Sequence, residues 1–491
     1  MQSINRKDIL SIFFLLLFVF GYFYQDPGNN GNSRLDLVFA YVQEHHLWID
    51  NFIEKPETKN TSDLALYRGH YYSDKSIGPA LIGIVLDEPL YWMQQTFNVP
   101  DEHTVKMILT FLVIGLPSAI AGTLMFILCL YLSGSRFRSC LVTLSIMLGT
   151  LCFPYGVTFF SHQFTASLLF IAFVLIFFLK EKPIKGIWLF PDLFLIGLLL
   201  GFALIGEYPA AIIILALTVY YLSIIWRNPT YRHWWAVILP VLGAIIPIGL
   251  QLRNNLISFG SYFSFGYSNL LLQSFQTGMN QGIGGITWPN LKVLYYMTLH
   301  PTLGVFWQSP VLLLAVVGAV FMFTQRRYRE EAILSACIIC SYFVILSGYY
   351  AWWGGSAVGP RHIIPALPFF CLFLVFLPRK FNWPFVGLSL VSIGQMVIVA
   401  ASTTLVPDKM VAKLETIGFF GYSNIYSYCL QQLTSFGNFT QNLGSAIFHL
   451  NSWSSLVPFF IVVVGLMLFF FNNDLKAFLR MKHSTQNSVG G

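Results

Sequence analysis

The sequence predicts an all-α polytopic membrane protein with about twelve transmembrane helices and interfacial helices in its first outer loop. Three observations carry this. Of the 491 residues, 56% are hydrophobic and only 10% charged, whereas a soluble domain runs near 25% charged. Mean hydropathy is +0.66. Apolar runs approaching the roughly 17–25 residues of a membrane helix recur along the whole chain. A soluble protein of any class is excluded. The net charge of +7 does not point to nucleic acid, because the basic residues fall in short clusters between apolar runs and read as topology signals. The seven cysteines lie mostly in or beside hydrophobic runs, with Cys337 and Cys340 three apart inside one of them. Neither a disulfide framework nor a zinc site is expected from them.

The first span covers residues 9–24, behind Arg6 and Lys7. No small-x-small cleavage site follows before Asp26, so it reads as an uncleaved anchor. Eleven further runs cover about 107–132, 140–160, 163–179, 188–206, 208–226, 234–250, 304–324, 332–350, 363–378, 383–401 and 455–472. The run 77–97 is different. Asp87, Glu88 and Pro89 interrupt its middle, and a central acid costs about 2.5–3.5 kcal/mol. If it does not cross, 17 of the 28 lysines and arginines fall in short segments on one side: 6 and 7, 136 and 138, 180, 182 and 185, 227 and 232, 326, 327 and 329, 379 and 380, 476, 480 and 482. That is the positive-inside pattern. Residues 77–97 are therefore placed on the outer surface, as interfacial or re-entrant helices. Both termini are then cytoplasmic.

Residues 1–491 make a single transmembrane domain. Its long outer segments are 25–106, 251–303 and 402–454, with a short one around 350–362. Each is too small to build its own core, so they must pack on one another and on the helix ends. No internal repeat is visible, which weakens an inverted-repeat carrier reading.

The outer segments hold eight of the ten histidines, at 45, 46, 70, 103, 162, 300, 362 and 449. Chemistry is expected on that face. In the first segment Ser33 and Asp36 have capping-box spacing, and Leu37, Val38, Tyr41, Val42 and His45 recur at helical spacing. A short amphipathic helix would hold Arg34 and Asp36 near the membrane surface, with Asp36 capping, reacting, or both. In residues 65–79, Tyr67, Tyr71 and Tyr72 interleave with Arg68, His70, Asp74 and Lys75. That mixture suits sugar stacking and anion binding, and equally an interfacial aromatic belt.

Pro154 and Gly156 should break the helix near the outer surface and present His162 beyond the break. Glu207 joins two spans with almost no loop, either solvated or facing an intramembrane cavity. The patch 349–365 places Trp352, Trp353, three glycines, Arg361 and His362 together. Arg361 is suited to clamping a phosphate with its planar fork; the plain alternative is an arginine snorkelling from an aromatic girdle. No P-loop, Rossmann fingerprint, HExxH or GxSxG stands in a suitable setting.

These motifs carry a resemblance. Asn32-Ser33-Arg34-Leu35-Asp36, the run Tyr67 to Lys75 and the run Trp352 to Arg361, with FPYGVTFFSH and GEYP, are similar to the integral-membrane glycosyltransferases of the GT-C superfamily. The branch resembled includes the bacterial protein O-mannosyltransferase-like enzymes and the lipid A aminoarabinose transferase. The likeness spans the chain from the first span to about residue 365.

It implies a GT-C-like fold in a bacterial inner membrane, a polyprenyl-phosphate-linked sugar donor, and a hydroxyl acceptor that is a lipid, glycan or protein. It also implies transfer on the outer face; with one carboxylate as base, a direct in-line attack would invert the anomeric centre. Asp36 maps to the general base, Asp74 is its rival, and Glu207 is a further carboxylate. Arg361, Lys75, Arg34, His162 and His362 would bind the donor phosphate. Tyr71, Tyr72, Trp352 and Trp353 would contact sugar or acceptor. The chain has one proline where the family often has two after Asp74, and Leu37 follows Asp36 where many relatives carry a second acid.

A phosphate leaving group needs cations rather than a strong acid, and a lone Asp36 is a poor metal site, so no cofactor and no obligatory metal are expected. Two other readings share the membrane: a transporter or lipid flippase, and a polymerase or ligase of polyprenyl-linked glycans. A carrier should concentrate polar residues near the bilayer midplane, whereas these spans are nearly free of charge.

Overall fold

In a computed structural model of the chain, which describes residues 5–53, 61–182, 189–407, 410 and 425–487, the apolar runs become helices. Lys185 lies outside the described residues, as do the side chains of Lys476, Arg480 and Lys482. So do residues 54–60 of the first outer segment and most of 408–424 in the last. Seven helices among the described residues are long and apolar enough to cross a membrane: Glu102–Ser133, Ser161–Glu181, Leu189–Gly206, Tyr208–Arg227, Trp235–Phe259, Arg379–Ala401 and Ser452–Asn472. Pro310–Thr324 and Arg361–Val375 are shorter apolar helices. The first helix, Arg6–Tyr22, has 17 residues.

The difference from twelve full-length runs lies largely where proline removes an amide donor. The run 140–160 stops at Met147 and restarts as the five-residue helix Cys152–Gly156, which contains Pro154. The run 363–378 opens as a 3₁₀ helix, Arg361–Phe370, holding Pro365 and Pro368. Residues 77–97 form one continuous helix, Gly78–Phe97, with Pro89 inside it and Asp87 buried. It lies against the helix Gly28–Glu44.

Charge separates the two ends of the bundle. At one end Arg136 donates twice to the buried Asp8, at 2.7 Å each. Lys180 reaches Glu330 at 3.1 Å and Glu331 at 2.7 Å, and Arg327 pairs with Glu181 at 2.5 Å. The helix Ser161–Glu181 has 21 residues and carries the chain from there roughly 30 Å to the opposite end.

At that opposite end the outer segments are stitched together by backbone. Phe23–Tyr24 pairs antiparallel with Gln441–Asn442. The Gln25 side chain donates to Val399 O and Ala400 O and accepts from Thr404 N at 2.7 Å. Leu66 N donates to Asn269 O and Leu271 N to Leu64 O, both at 2.9 Å. Val358 N donates to Thr404 O at 2.9 Å, and Thr287 N to Gly348 O at 2.9 Å. The segments thus share one roof, as their small individual sizes require.

With 77–97 kept on the outer side, cysteine-accessibility labelling should read residues 100–104 as outside and 134–138 as inside. Labelling of 100–104 from the cytoplasm would invert the arrangement.

Candidate functional site

The helix Gly28–Glu44 starts nearly two turns earlier than the capping-box spacing at Ser33 implies. The Asp26 carboxylate accepts from Gly28 N at 2.7 Å just before Pro27 leads into the helix. Ser33 and Asp36 are therefore interior residues. The Ser33 hydroxyl donates to Asp63 O at 2.7 Å and meets Ser73 Oγ at 2.8 Å. That contact docks the helix on a β-hairpin, Leu64–Tyr67 against His70–Ser73, which turns at Arg68 and Gly69. Both turn residues have positive φ, 51° and 87°, the geometry of a two-residue primed turn.

Beyond the hairpin, Gly78 lies against Gly206. A Cβ on Gly78 would stand 2.9 Å from Gly206 backbone atoms, so this approach requires glycine. It lets the Ser76 hydroxyl donate to Gly206 O, and it sets Glu207 beside the start of the helix Ser161–Glu181.

Arg34 ties these parts together. Its guanidinium is buried, donating to Asn30 O at 3.1 Å, Asn30 Oδ1 at 2.5 Å and Ser161 Oγ at 2.7 Å, with Ser76 Oγ at 3.4 Å. Ser161 in turn donates to Glu207 Oε1, and His162 Nδ1 lies 3.0 Å from the same oxygen. Burial alone would raise the Glu207 carboxyl, but His162, His362 and Arg34 together hold it well below the usual carboxylate range.

Above this layer is a cavity of about 420 Å³. In its lining Lys75 bridges two acids, with Asp63 at 3.0 Å and Asp74 at 3.2 Å. Burial pushes Asp74 up to about 6, against the pull of Lys75 and with the push of Asp63. Arg361, also in the lining, stacks its guanidinium 4.8 Å from the Phe160 ring centre. Its Nε is buried with no hydrogen-bond partner among the described residues. Gly354, at φ 79°, is what lets Arg361 lie there, since a Cβ would meet Arg361 Cγ at 2.7 Å. Tyr267, Tyr349, Tyr350 and Trp353 supply aromatic walls. A cavity with three cations, three carboxylates and aromatic faces can hold an anionic group beside a sugar ring and place a carboxylate near it.

Of the residues singled out in the sequence, Arg34, Asp74, Lys75, His162, Glu207, Trp353, Arg361 and His362 all line this cavity. Four do not. Tyr71 donates its backbone N–H to Asp50 and Tyr72 packs on Phe259. Trp352 stacks on Tyr296 with centroids 5.7 Å apart. Asp36 is fully buried two residues beyond Arg34, outside the lining. It lies a helical turn from Asn32, which lines a separate cavity of about 320 Å³ with Gln25, His103 and Lys106. Sequence reasoning missed Asp63 and Tyr267, which carry no local signal. It missed the role of Tyr349 and Tyr350, although they open the Trp-Trp-Gly-Gly patch.

No protein-family model matches the sequence, and no curated protein matches it. Among solved structures the chain is similar to ArnT from Cupriavidus metallidurans bound to undecaprenyl phosphate, at 11% identity and TM-score 0.47, covering 94% of this chain and 75% of that one. The apo state of the same protein gives 12% identity, TM-score 0.48 and coverages of 94% and 74%. Archaeal oligosaccharyltransferase AglB from Archaeoglobus fulgidus, in complex with an inhibitory peptide and a dolichol-phosphate, gives 11% identity, TM-score 0.42 and coverages of 80% and 55%. The likeness is one of fold.

The Gly78–Gly206 approach makes a stability prediction. Gly78→Ala should lower the thermal midpoint in detergent, by the equivalent of about 1–3 kcal/mol for an overpacked contact. Gly249→Ala, on an open helix surface with nothing within 4 Å, should leave it unchanged or raise it. Equal midpoints for Gly78→Ala and wild type would dissolve the role of the approach.

Proposed function

We propose that this protein transfers a sugar from a polyprenyl-phosphate-linked donor to a hydroxyl acceptor at the outer face of a bacterial inner membrane, with inversion at the anomeric carbon. The observation that carries the reading is the cavity itself. It sits at the less basic end of an apolar bundle and is lined by Arg361 and Lys75 together with Asp74 and aromatic rings from the outer segments. A polyprenyl tail would lie among apolar helices while its phosphate meets the cations. Polar groups gathered among loops and helix ends, rather than midway along the spans, favour an enzyme over a carrier.

In the proposed step the acceptor oxygen forms a bond to the anomeric carbon as the bond from that carbon to the phosphate oxygen breaks. The acceptor proton passes to a carboxylate, and the phosphate keeps the electron pair, its charge met by Arg361 and Lys75. Asp74 is the base. It lines the cavity, whereas Asp36 does not, and burial sets its proton affinity nearer neutrality than an ordinary carboxylate. One carboxylate suffices for direct displacement. A retaining route would need a second one free to attack, and Glu207 is engaged by Ser161 and His162.

Purified protein given labelled polyprenyl-phosphate sugars and a cell extract as acceptor source should transfer or slowly hydrolyse one of them. Inactivity across a broad donor panel would sink the reading. Asp74→Asn should fold, bind donor and lose about 10²–10⁴-fold in rate, while Asp36→Asn keeps more than about a tenth of wild-type turnover. The reverse result would return the base to Asp36. Arg361→Lys should weaken donor binding and turnover together, because a point charge replaces a fork.

The pH dependence has a definite sign. Asp74 must be ionised to accept a proton, and its folded value is raised to about 6. Transfer should therefore be full well above pH 6 and fall as pH drops through that value, a limb that Asp74→Asn removes.

A further inference from the structure

We propose that His162, Glu207 and His362 form a binding site for one divalent transition-metal ion, of the zinc class, at the floor of the cavity. The donor atoms of the three side chains already lie within 4.8 Å of one another. His162 Nδ1 stands 3.0 Å from Glu207 Oε1, and the two imidazoles meet edge to face with centroids 5.0 Å apart and planes at 86°. With metal–donor bonds of about 2.0–2.1 Å, a tetrahedral ion would draw the three donors to about 3.4 Å apart.

A second observation points to a ligand. His162 is 2% exposed and lines the cavity, yet neither of its ring nitrogens has an aligned hydrogen bond among the described residues. Its approach to Glu207 is a contact without hydrogen-bond geometry. A buried imidazole is normally satisfied at one nitrogen at least; an ion at this point would satisfy it.

The surroundings fit a metal ligand set. Ser161 donates to the Glu207 carboxylate and is itself held by Arg34, which orients the oxygen as an outer-shell partner would. The His362 ring is fixed edge-on by Tyr349, at 5.3 Å and 89°. Two imidazoles and one carboxylate with a fourth position open to a cavity is a donor set that zinc uses when it also binds an exogenous group. Arg34 and Arg361 oppose a bare cation, so the open position favours an anionic fourth ligand. Metal binding at the three residues does not depend on the transfer reading; only the use of the open position for a donor phosphate oxygen rests on it.

The test uses the full chain, free of any affinity tag, stripped with chelator and held in detergent. Titration with Zn²⁺ by calorimetry, and with Co²⁺ by visible absorption, should show one equivalent bound and the absorption bands of a low-coordinate cobalt site. His162→Gln and His362→Gln should each weaken binding by more than about 100-fold, beyond the roughly 10–100-fold expected when Ser161→Ala removes the outer-shell contact. His449→Ala, in another outer segment, should bind as wild type does. Thermal midpoints show which variants are folded, and if His162→Gln fails to fold, His362→Gln and Ser161→Ala decide. No saturable one-equivalent binding in the wild type, or unchanged affinity in the folded histidine variants, overturns the site. Metal binding without any sugar transfer would keep the site and remove the function; transfer by a wild type that shows no saturable metal binding would keep the function and remove the site.

Discussion

A guanidinium buried at the foot of the cavity is the constraint around which the outer face is arranged. An arginine taken out of water is tolerated only where its donors are met. The two terminal nitrogens of Arg34 are met by groups from three separate stretches: Asn30 on its own helix, Ser76 after the hairpin, and Ser161 at the head of a long apolar helix; its Nε has no hydrogen-bond partner among the described residues. Through Ser161 it also steers Glu207, at the junction of two further helices. Elements whose apolar faces could slide against one another are thereby held in one register. The cost of leaving that charge unmatched is what makes the cavity floor rigid.

The two ends of the bundle solve different electrostatic problems. At the basic end, cations and acids from distant helices pair closely, as with Asp8 and Arg136 or Lys180 and Glu331. The cations in excess of those acids, such as Arg326, Arg329, Arg379 and Lys380, are exposed at the helix ends. At the cavity end the bookkeeping is looser: Lys75 has two acids, while Arg361 rests on a phenyl ring with an unpartnered nitrogen. An end that leaves a cation under-engaged is prepared for an anion from outside, and the paired end is prepared only to hold helices.

Much of this was readable from residues alone. Composition and charge clusters specified a helical membrane body with its polar work on one side. Pro154 and Gly156 marked the break before His162, and the short turn at Glu207 and the glycine-rich approach to Arg361 named three of the cavity's side chains. What could not be read was rotation and distance. The helix Gly28–Glu44 is buried on nearly every side between residues 31 and 40, so no polar stripe says which way it faces. Arg34 and Asp36 are two residues apart and end in different surroundings. The hairpin carried only Arg68-Gly69 as its turn signal, half of the usual Asn-Gly pattern. The meeting of His162 with His362 depends on how separate helices pack, which no local spacing encodes. Metal was disfavoured by the residues near Asp36 for the same reason, since its candidate ligands come from three distant stretches.

The pairing of Phe23–Tyr24 with Gln441–Asn442, and of Gln25 with Thr404, has a consequence in time. These partners are 379 residues apart in the case of Gln25 and Thr404. At a synthesis rate of about 5–20 residues per second, roughly 20–80 s separate their emergence from the ribosome. Throughout that interval the first outer segment is already delivered to the membrane surface while the strand and the carbonyls that will cover it do not exist. The Gln25 amide, destined for complete burial, must stay hydrated until nearly the whole chain has been inserted. The roof over the cavity thus closes late in synthesis, and a nascent chain carries most of its helices long before it carries a finished site.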